Sequence, residues 1–520
     1  MDYILEKLKK KSIYVPFFTV LILGLATHMY MFVNKFPNSD ALTSFYFDQN
    51  MVTSGRFFLG TVCSISSFYD LNWINGILSL LYLSLCAMML IKLLDVKGTF
   101  NYILISALLV TFPALTATFA YLYTADGYMI GLLLSIICVY VSRKYKFGFI
   151  IGGILLSLSM GIYQAYLSFA VVLCIIIIIN MLMLGEEIKK VFFMGLKFLG
   201  MGVIGGVLYK IILTICLKVQ HKELDTYQGI NTMGSLSLKT LPKTIVNMYA
   251  DFAAFTLKGN VLFREGFSAS VWLLVLIAFI ALALIIILNA KTYKKPLNIL
   301  AIIVMLAIIP FGNNIIFLFS DSIEYHLLMR MQWVLYFIWA VVLADIVIDK
   351  TDLKNIELKK EKNSKNAIVF FFTVLTAVSL GFYIYGNIVV ANICYYNMNE
   401  SYEKTYGYLV RLIDRMEQTE GYYPGMKVAM VGVVSKESYP ETNITLDITG
   451  NIRGTNQTII PYKAEMYANF MSHYMNYELE FLEGEELEEV YYSDEYQELE
   501  SFPSVNSMRV VNDTLYIKLE

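Results

Sequence analysis

The sequence predicts a polytopic α-helical membrane protein of about eleven transmembrane helices, followed by a small C-terminal α/β domain. Three observations predict it. Hydrophobic residues make up 57% of the 520 residues and charged ones only 16%, against about 25% charged in a typical soluble domain. Mean hydropathy is +0.60. The net charge of −2 hides a split: residues 395–520 carry 22 acids and 9 bases (−13), residues 1–394 carry 20 acids and 31 bases (+11). A basic, apolar body thus precedes an acidic tail. This pattern excludes one large soluble enzyme, a disordered chain and a small disulfide scaffold. The six cysteines are scattered without CxxC spacing, and none falls in the tail, so neither a disulfide framework nor a zinc knuckle is expected there.

A helix needs about 20 apolar residues to cross roughly 30 Å of hydrocarbon. Runs of that kind lie near 14–33, 74–91, 101–121, 127–142, 147–164, 165–184, 197–218, 270–290, 297–319, 333–349 and 367–390. The stretch 147–184 is too long for one crossing and is divided at Gly161-Ile162-Tyr163-Gln164. The first run is longer than the apolar part of a signal peptide and no A-x-A-like site follows it, so it is expected to be an anchor.

Lysine and arginine in short loops set the orientation. Lys7, Lys9, Lys10 and Lys11 precede the first run; Lys92 and Lys97 follow the second; Arg143, Lys144 and Lys146 the fourth; Lys189 and Lys190 the sixth; Lys291, Lys294 and Lys295 the eighth. The run Asp349–Lys365, with six lysines, follows the tenth. Every alternate loop is basic. The N-terminus is therefore expected in the cytoplasm, and loops 34–73, 122–126, 219–269 and 320–332 and the tail outside a cell membrane that the chain crosses many times. The domains follow: 1–394 in the membrane, with long outer loops 34–73 and 219–269, and 395–520 as an extracytoplasmic acidic α/β domain. Within the first loop, Met51–Leu71 reads as an amphipathic helix along the outer interface.

In the tail, Tyr402, Tyr406, Leu409, Ile413 and Met416 recur at helical spacing. Lys427–Val434 reads as a strand, Ala464–Tyr474 as a helix and Ser507–Leu519 as a hairpin turning at Asn512-Asp513. The acidic run Glu478–Glu500 reads as a solvated face.

Ionisable groups inside spans are costly, about 2.5–3.5 kcal/mol each at a helix centre on insertion scales. Only Lys210, with His28 and Asp345 nearer span ends, breaks the apolar runs. An ion-coupled transporter would carry acids near the midplane. Polar residues gather instead at the outer span ends: Asp40, Asp48 and Arg56; Asp126; Tyr163 and Gln164; His221, Glu223 and Asp225; and Glu324, His326 and Arg330. A carboxylate there suits a general base for a hydroxyl nucleophile, and an arginine or lysine suits a phosphate. Each has a plainer role as well. Asp40 has that of capping a helix at Ala41, Lys210 of snorkelling outward, and Asp126 of shaping a turn with Gly127. Tyr163 and Gln164 suit a helix break, Arg56 the lipid headgroup level, and Arg330 and His326 interface anchors beside Trp333.

The stretch His28-Met29-Tyr30-Met31-Phe32 is followed by Asn38-Ser39-Asp40, Asp48-Gln49-Asn50, Ser54-Gly55-Arg56-Phe57 and Asp70-Leu71-Asn72-Trp73. Together they resemble the start of the bacterial serotype-converting glucosyl transferases of Gtr type II. Gly161–Tyr166, Phe502-Pro503 and Ser507–Leu519 add to the resemblance. It is strongest over roughly residues 25–90.

The resemblance implies a GT-C-like membrane glycosyltransferase. Such an enzyme moves a sugar, glucose by the family name, from a polyprenyl-phosphate donor to a cell-surface glycan at the outer face, with inversion. It implies Asp40 as the base, with Asp48 the second candidate, and Arg56, Arg330 and Lys210 on the donor phosphate. Asp126, Tyr163, Gln164, His221, Glu223, Glu324 and His326 are further pocket candidates. No cofactor is assigned; a divalent cation stays open, on Asp40, Asp48, Glu223 and Asp225 if their loops converge. Nucleic acid is not an expected partner, because topology accounts for the basic runs and no phosphate-binding glycine loop is present. The alternatives are a lipid-linked glycan flippase or transporter, and a non-enzymatic surface-assembly protein.

Overall fold

The computed structural model describes residues 10–232, 240–258, 261–262, 267–320, 323–350, 364–434 and 444–519. Lys7, Lys9 and most of the basic run Asp349–Lys365 lie outside the described residues. The chain is a polytopic helical membrane protein. Among the described residues, nine helices are long and apolar enough to cross a bilayer.

In chain order the membrane helices are α1 (Lys11–Val33), α2 (Asn72–Leu93), α3 (Thr99–Thr111), α4 (Pro113–Phe119), α5 (Leu122–Lys144), α6 (Gly148–Ile162), α7 (Tyr166–Met183) and α8 (Ile188–Val219). After α9 (Leu241–Leu257) come α10 (Phe267–Asn289), α11 (Pro296–Asn313), α12 (Val334–Lys350) and α13 (Ser364–Glu417). Counted together as one span, α3 and α4, bent by 45° at their break, bring the number to ten. Pro113 lacks an N–H and forces the preceding Phe112 into an extended conformation (ψ 138°). The break frees the Val110 carbonyl, which His28 Nε2 meets at 2.8 Å, while His28 Nδ1 lies 2.7 Å from the Tyr395 hydroxyl. His28 is fully buried; it satisfies a break in the backbone and ties α1 to α13. The short apolar helix α6, of 15 residues, ends where the long run 147–184 is divided, at Tyr163 (φ −155°, ψ 115°).

The basic loops meet at one end of the bundle. Lys97 pairs with Asp349 and Arg143 with Asp95. Lys295 donates to the Gly185 carbonyl, and Asp345 accepts from the backbone of Lys97 and Gly98. Asp345 is thus a loop anchor. The segments 34–73, 119–128, 161–166, 209–225 and 324–333 meet at the other end, as the bonds described below show.

Two expectations are corrected. Met51–Leu71 is not one interfacial helix. It is a set of short turns, Val52–Ser54, Leu59–Cys63 and Ser64–Ser66, interrupted by left-handed residues at Gly55, Ser67 and Phe68. Leu59, Val62 and Cys63 are buried in the helical core, so the segment plugs the bundle rather than lying on it. The second concerns Asp126, read as part of a tight loop: it stands inside α5, fully buried, and accepts a hydrogen bond from Asn75 at 3.2 Å.

The boundary drawn at 394/395 falls within α13, which runs unbroken for 54 residues. At about 1.5 Å per residue it is far longer than a crossing needs. Its end enters the C-terminal unit, burying Tyr408, Leu409, Leu412 and Met416. That unit adds β1 (Lys427–Val431), α14 (Ala464–Met475), β2 (Glu480–Phe481), α15 (Gly484–Tyr491), β3 (Met508–Val511) and β4 (Thr514–Lys518). The sheet order is β2-β1-β4-β3, with β1 parallel to β2 and β4, and β3 antiparallel to β4. The hairpin turns at Asn512 (φ 46°) and Asp513 (φ 61°), the left-handed pair that a two-residue turn requires. Alternation along the strands is clear: Val428, Met430, Leu515 and Ile517 face α13 and α14, while Ala429 and Tyr516 pack against the other side. Glu483, Glu485, Glu486, Glu488 and Glu489 are exposed, a solvated face as expected.

Candidate active site at the loop 34–73 end of the bundle

Asp40 opens a short helical turn, Asp40–Thr43. The capping role considered for it belongs to Asn38, whose Oδ1 accepts from Ala41 N at 2.9 Å while its amide donates to the Ala120 carbonyl at 2.7 Å. Among the described residues the Asp40 carboxylate forms no hydrogen bond or ion pair; only its backbone carbonyl is used, by Thr43 and Ser44. Its neighbours Asn38, Ser39, Ala41 and Leu42 are buried, and Asp40 alone of the five is exposed. The protein packed around it raises its carboxyl above the ordinary 3.8 by desolvation, and nearby Arg453 opposes the rise. Asp48 differs: its Oδ1 accepts from Asn50 N at 2.9 Å, closing its own turn in an exposed loop.

Arg56 sits in a cage of tyrosines. Its Nη1 donates to the Tyr128 hydroxyl at 2.9 Å and its guanidinium lies 4.9 Å from the centre of the Tyr163 ring. Tyr128 and Tyr163 stack at 4.7 Å, and Tyr123 and Tyr209 are also near the charge. The Nε atom is enclosed without a partner. Among the described residues no carboxylate forms an ion pair with Arg56.

Two motifs build this cage by gripping each other. Gln164 donates to the Ser54 carbonyl at 2.8 Å and to Tyr209, whose hydroxyl donates to the Gly55 carbonyl at 2.9 Å. Phe58 N donates to the Gly161 carbonyl at 2.8 Å. A Cβ on Gly161 would come within 2.5 Å of the Phe57 ring, so only glycine allows this approach. Tyr163 and Gln164 thus satisfy the break after α6 and hold Arg56 at once. Tyr123 connects the cage to Asp40: its hydroxyl lies near Asp40, Tyr128 and Ser44.

The other candidates fall apart. Arg330 is buried and makes a two-pronged pair with Asp251 of α9, at 2.7 and 2.8 Å, so it is not available to a phosphate. Lys210 is exposed beside Val207 and Ile211 on the outer face of α8, opposite the inward Tyr209, and so faces lipid. His221, Glu223 and Asp225 are exposed; Asp225 serves the site through its backbone, donating to the Thr53 carbonyl at 3.0 Å. Among the described residues no group of three His, Cys, Asp or Glu side chains is placed to hold a metal ion. Glu324 and His326 do reach the site, both meeting Arg453.

Several residues were given no role at the site from the sequence. Asp251 lies in loop 219–269, of which only His221, Glu223 and Asp225 were singled out. Asp70 is buried with Oδ1 unpartnered, and desolvation pushes its carboxyl up to about 6 against the pull of Lys35. Lys35 lies over the rings of Phe45 and Tyr474 at 4.2 and 4.4 Å. Arg453 and Gln457 belong to the tail, which carried no signal toward the site.

A family model described as glucosyl transferase GtrII matches residues 29–348. No curated protein and no solved structure matches the chain.

Proposed function

Because the chain belongs to the glucosyl transferase GtrII family, we propose that it is a GT-C-like inverting glycosyltransferase that takes a sugar, glucose by the family description, from a polyprenyl-phosphate donor and passes it to a cell-surface glycan at the outer face of the cell membrane. The basic short loops set the N-terminus in the cytoplasm, and eleven crossings, counting the bent pair α3–α4 and the short α6, carry the chain to the other side. The C-terminal unit then lies outside with loop 34–73.

The observation that carries this reading is the state of Arg56. A guanidinium enclosed by aromatic rings without a counter-charge is unfavourable, and an anionic ligand relieves that cost. Arginine suits phosphate through its planar array of donors. In the reaction the acceptor hydroxyl attacks the anomeric carbon and gives its proton to the Asp40 carboxylate. The bond from the anomeric carbon to the phosphate oxygen breaks, and polyprenyl phosphate leaves with the electron pair, held by Arg56. Tyr128, Tyr163 and Gln164 position Arg56; Asp48 serves its own turn.

The test uses the full chain in detergent, a polyprenyl-phosphate glucose donor and an acceptor glycan. Asp40→Asn should lower kcat by about 10²–10⁴-fold, the usual weight of a general base, with donor binding retained. Wild-type kcat/KM should rise with pH through a carboxyl value above 3.8, because only the ionised form accepts a proton, and the Asn variant should lack that limb. Arg56→Gln should raise the donor KM, and Lys210→Leu should change neither parameter. Full activity in Asp40→Asn would remove the assignment.

A further inference from the structure

We infer that the C-terminal unit is a working part of the active site: its segment 452–457 fixes the turn bearing Asp40, and Arg453 supplies a second cation for the donor phosphate. The inference rests on the transfer reading above. It concerns residues outside the 29–348 family match.

The docking is specific. Gln457 holds Ser39 from both sides, its Oε1 accepting from Ser39 N at 3.1 Å and its Nε2 donating to Ser39 Oγ at 2.8 Å. Ser39 is the residue before Asp40, so this amide sets the start of the turn. The carbonyls of Thr455 and Gln457 are in turn held by Asn397 of α13. Gly454, at φ +91°, lies on Ala120 and Tyr121, where a Cβ would approach to 3.0 and 2.9 Å. Ile452 is buried in the membrane-helix core, and Leu42, two residues after Asp40, is buried in the core of the C-terminal unit. The base-bearing turn is thus clamped between the two.

Arg453 stands between the buried Ile452 and the close-packed Gly454. It reaches Glu324 at 2.6 Å and the His326 ring at 3.3 Å, and its charge acts on Asp40. The pair with Glu324 is open to solvent, with side-chain exposures of 53% and 62%. Exposed pairs of this kind are weak and exchange readily, unlike the buried two-pronged pair of Arg330. Arg453 can therefore turn from Glu324 to a phosphate; its charge acts on Asp40, and Tyr123 lies near both Asp40 and Arg56.

The experiment measures donor KM, kcat and inhibition by free polyprenyl phosphate for full-length wild type, R453Q, R453K, E324Q and Q457A, with melting temperature as the folding control. R453Q should raise donor KM and the inhibition constant of polyprenyl phosphate together, about tenfold or more, with acceptor KM unchanged. R453K, which keeps the charge but loses the fork, should show a smaller rise, and E324Q, which removes the counter-charge that Arg453 must leave, should lower donor KM. Q457A should lower kcat at near-normal donor KM. Wild-type donor KM and inhibition in both Arg453 variants would overturn the inference, as would a loss that tracks melting temperature alone. If R453Q does not fold, R453K decides. Wild-type turnover separates the two levels: no sugar transfer by wild type fails the parent reading, whereas transfer that Arg453 does not influence fails this one.

Discussion

Arg330 and Asp251 offer the sharpest test of how the structure sorts its charges. Arg330 is 5% exposed, donates twice to Asp251 and also to the Tyr325 carbonyl, and lies 3.9 Å from the centre of the Tyr325 ring and 4.2 Å from that of Phe255. Asn314 adds a bond to Asp251 at 2.9 Å. Asp251→Asn removes the counter-charge and leaves the guanidinium enclosed. Breaking a buried pair from one side costs about 3–5 kcal/mol. The Asp251 side chain keeps 24% exposure, so water reaches it and the lower end, about 3 kcal/mol, applies. Replacing both partners, Arg330→Met with Asp251→Leu, should recover most of that loss, since an apolar pair of similar volume has no charge to desolvate. Thermal unfolding in one fixed detergent reads stability, and donor KM is measured on the folded fraction. The single variant should melt well below wild type, the double variant near it, and donor KM should stay close to wild type in both. If Asp251→Asn melts like wild type and raises donor KM tenfold, Arg330 is a phosphate ligand after all and the structural assignment is wrong.

Asp70 gives a pH signature of the opposite sense to a salt-bridged carboxylate. Its carboxyl is raised to about 6 by burial, so the folded chain holds a proton that the unfolded chain releases near the ordinary 3.8. The folded state binds more protons in that window, and unfolding free energy falls by about 2 kcal/mol as pH rises from 4 to 6. Asp70→Asn should lack this slope; parallel melting curves for the two proteins across that range would refute it. Two glycines make a paired prediction. Gly454→Ala meets Tyr121 and Ala120 at a left-handed φ, so transfer activity should fall by more than melting temperature accounts for. Gly407→Ala, in α13 with nothing within 4 Å, should stabilise by about 0.5–1 kcal/mol at unchanged activity.

What the sequence made legible was whatever depends on neighbours in the chain. Apolar runs gave the spans, because length and composition alone decide whether a segment can cross. The break at Gly161-Ile162-Tyr163-Gln164 showed because two polar-capable residues and a glycine interrupt an otherwise continuous run. The hairpin at Asn512-Asp513 showed because both types tolerate left-handed backbone. The Met51–Leu71 segment misled for the same reason. Its apolar spacing suited a helix, but its partners are Gly127, Gly161 and Tyr209, far along the chain, and packing against them imposes turns instead. Asp126 read as a turn residue because nothing local announces Asn75, 51 residues away, as its partner.

The site residues were legible as types but not as states. Asp40, Asp48, Arg56, Arg330 and Lys210 look equivalent in a list of charges, and they separate only when each is matched with its counter-charge. Lys210 faces lipid, Arg330 belongs to Asp251, Lys35 faces the buried Asp70 and Arg453 leans on Glu324. Asp48 is spent on its own turn. Among the described residues none of the five charges of loop 34–73 forms an ion pair, and with Lys35 set against Asp70 and Asp48 closing its turn, Asp40 and Arg56 are the two that remain for a substrate. Arg56 is anchored to Tyr128 and Tyr163, Asp40 is fixed through Ser39 by Gln457, and Tyr123 lies close to both. Each charge is held in place by neutral groups and keeps its interaction for a ligand. A molecule bearing a phosphate at one end and meeting a hydroxyl at the other suits such a pair, which is the arrangement a sugar phosphate and its acceptor bring.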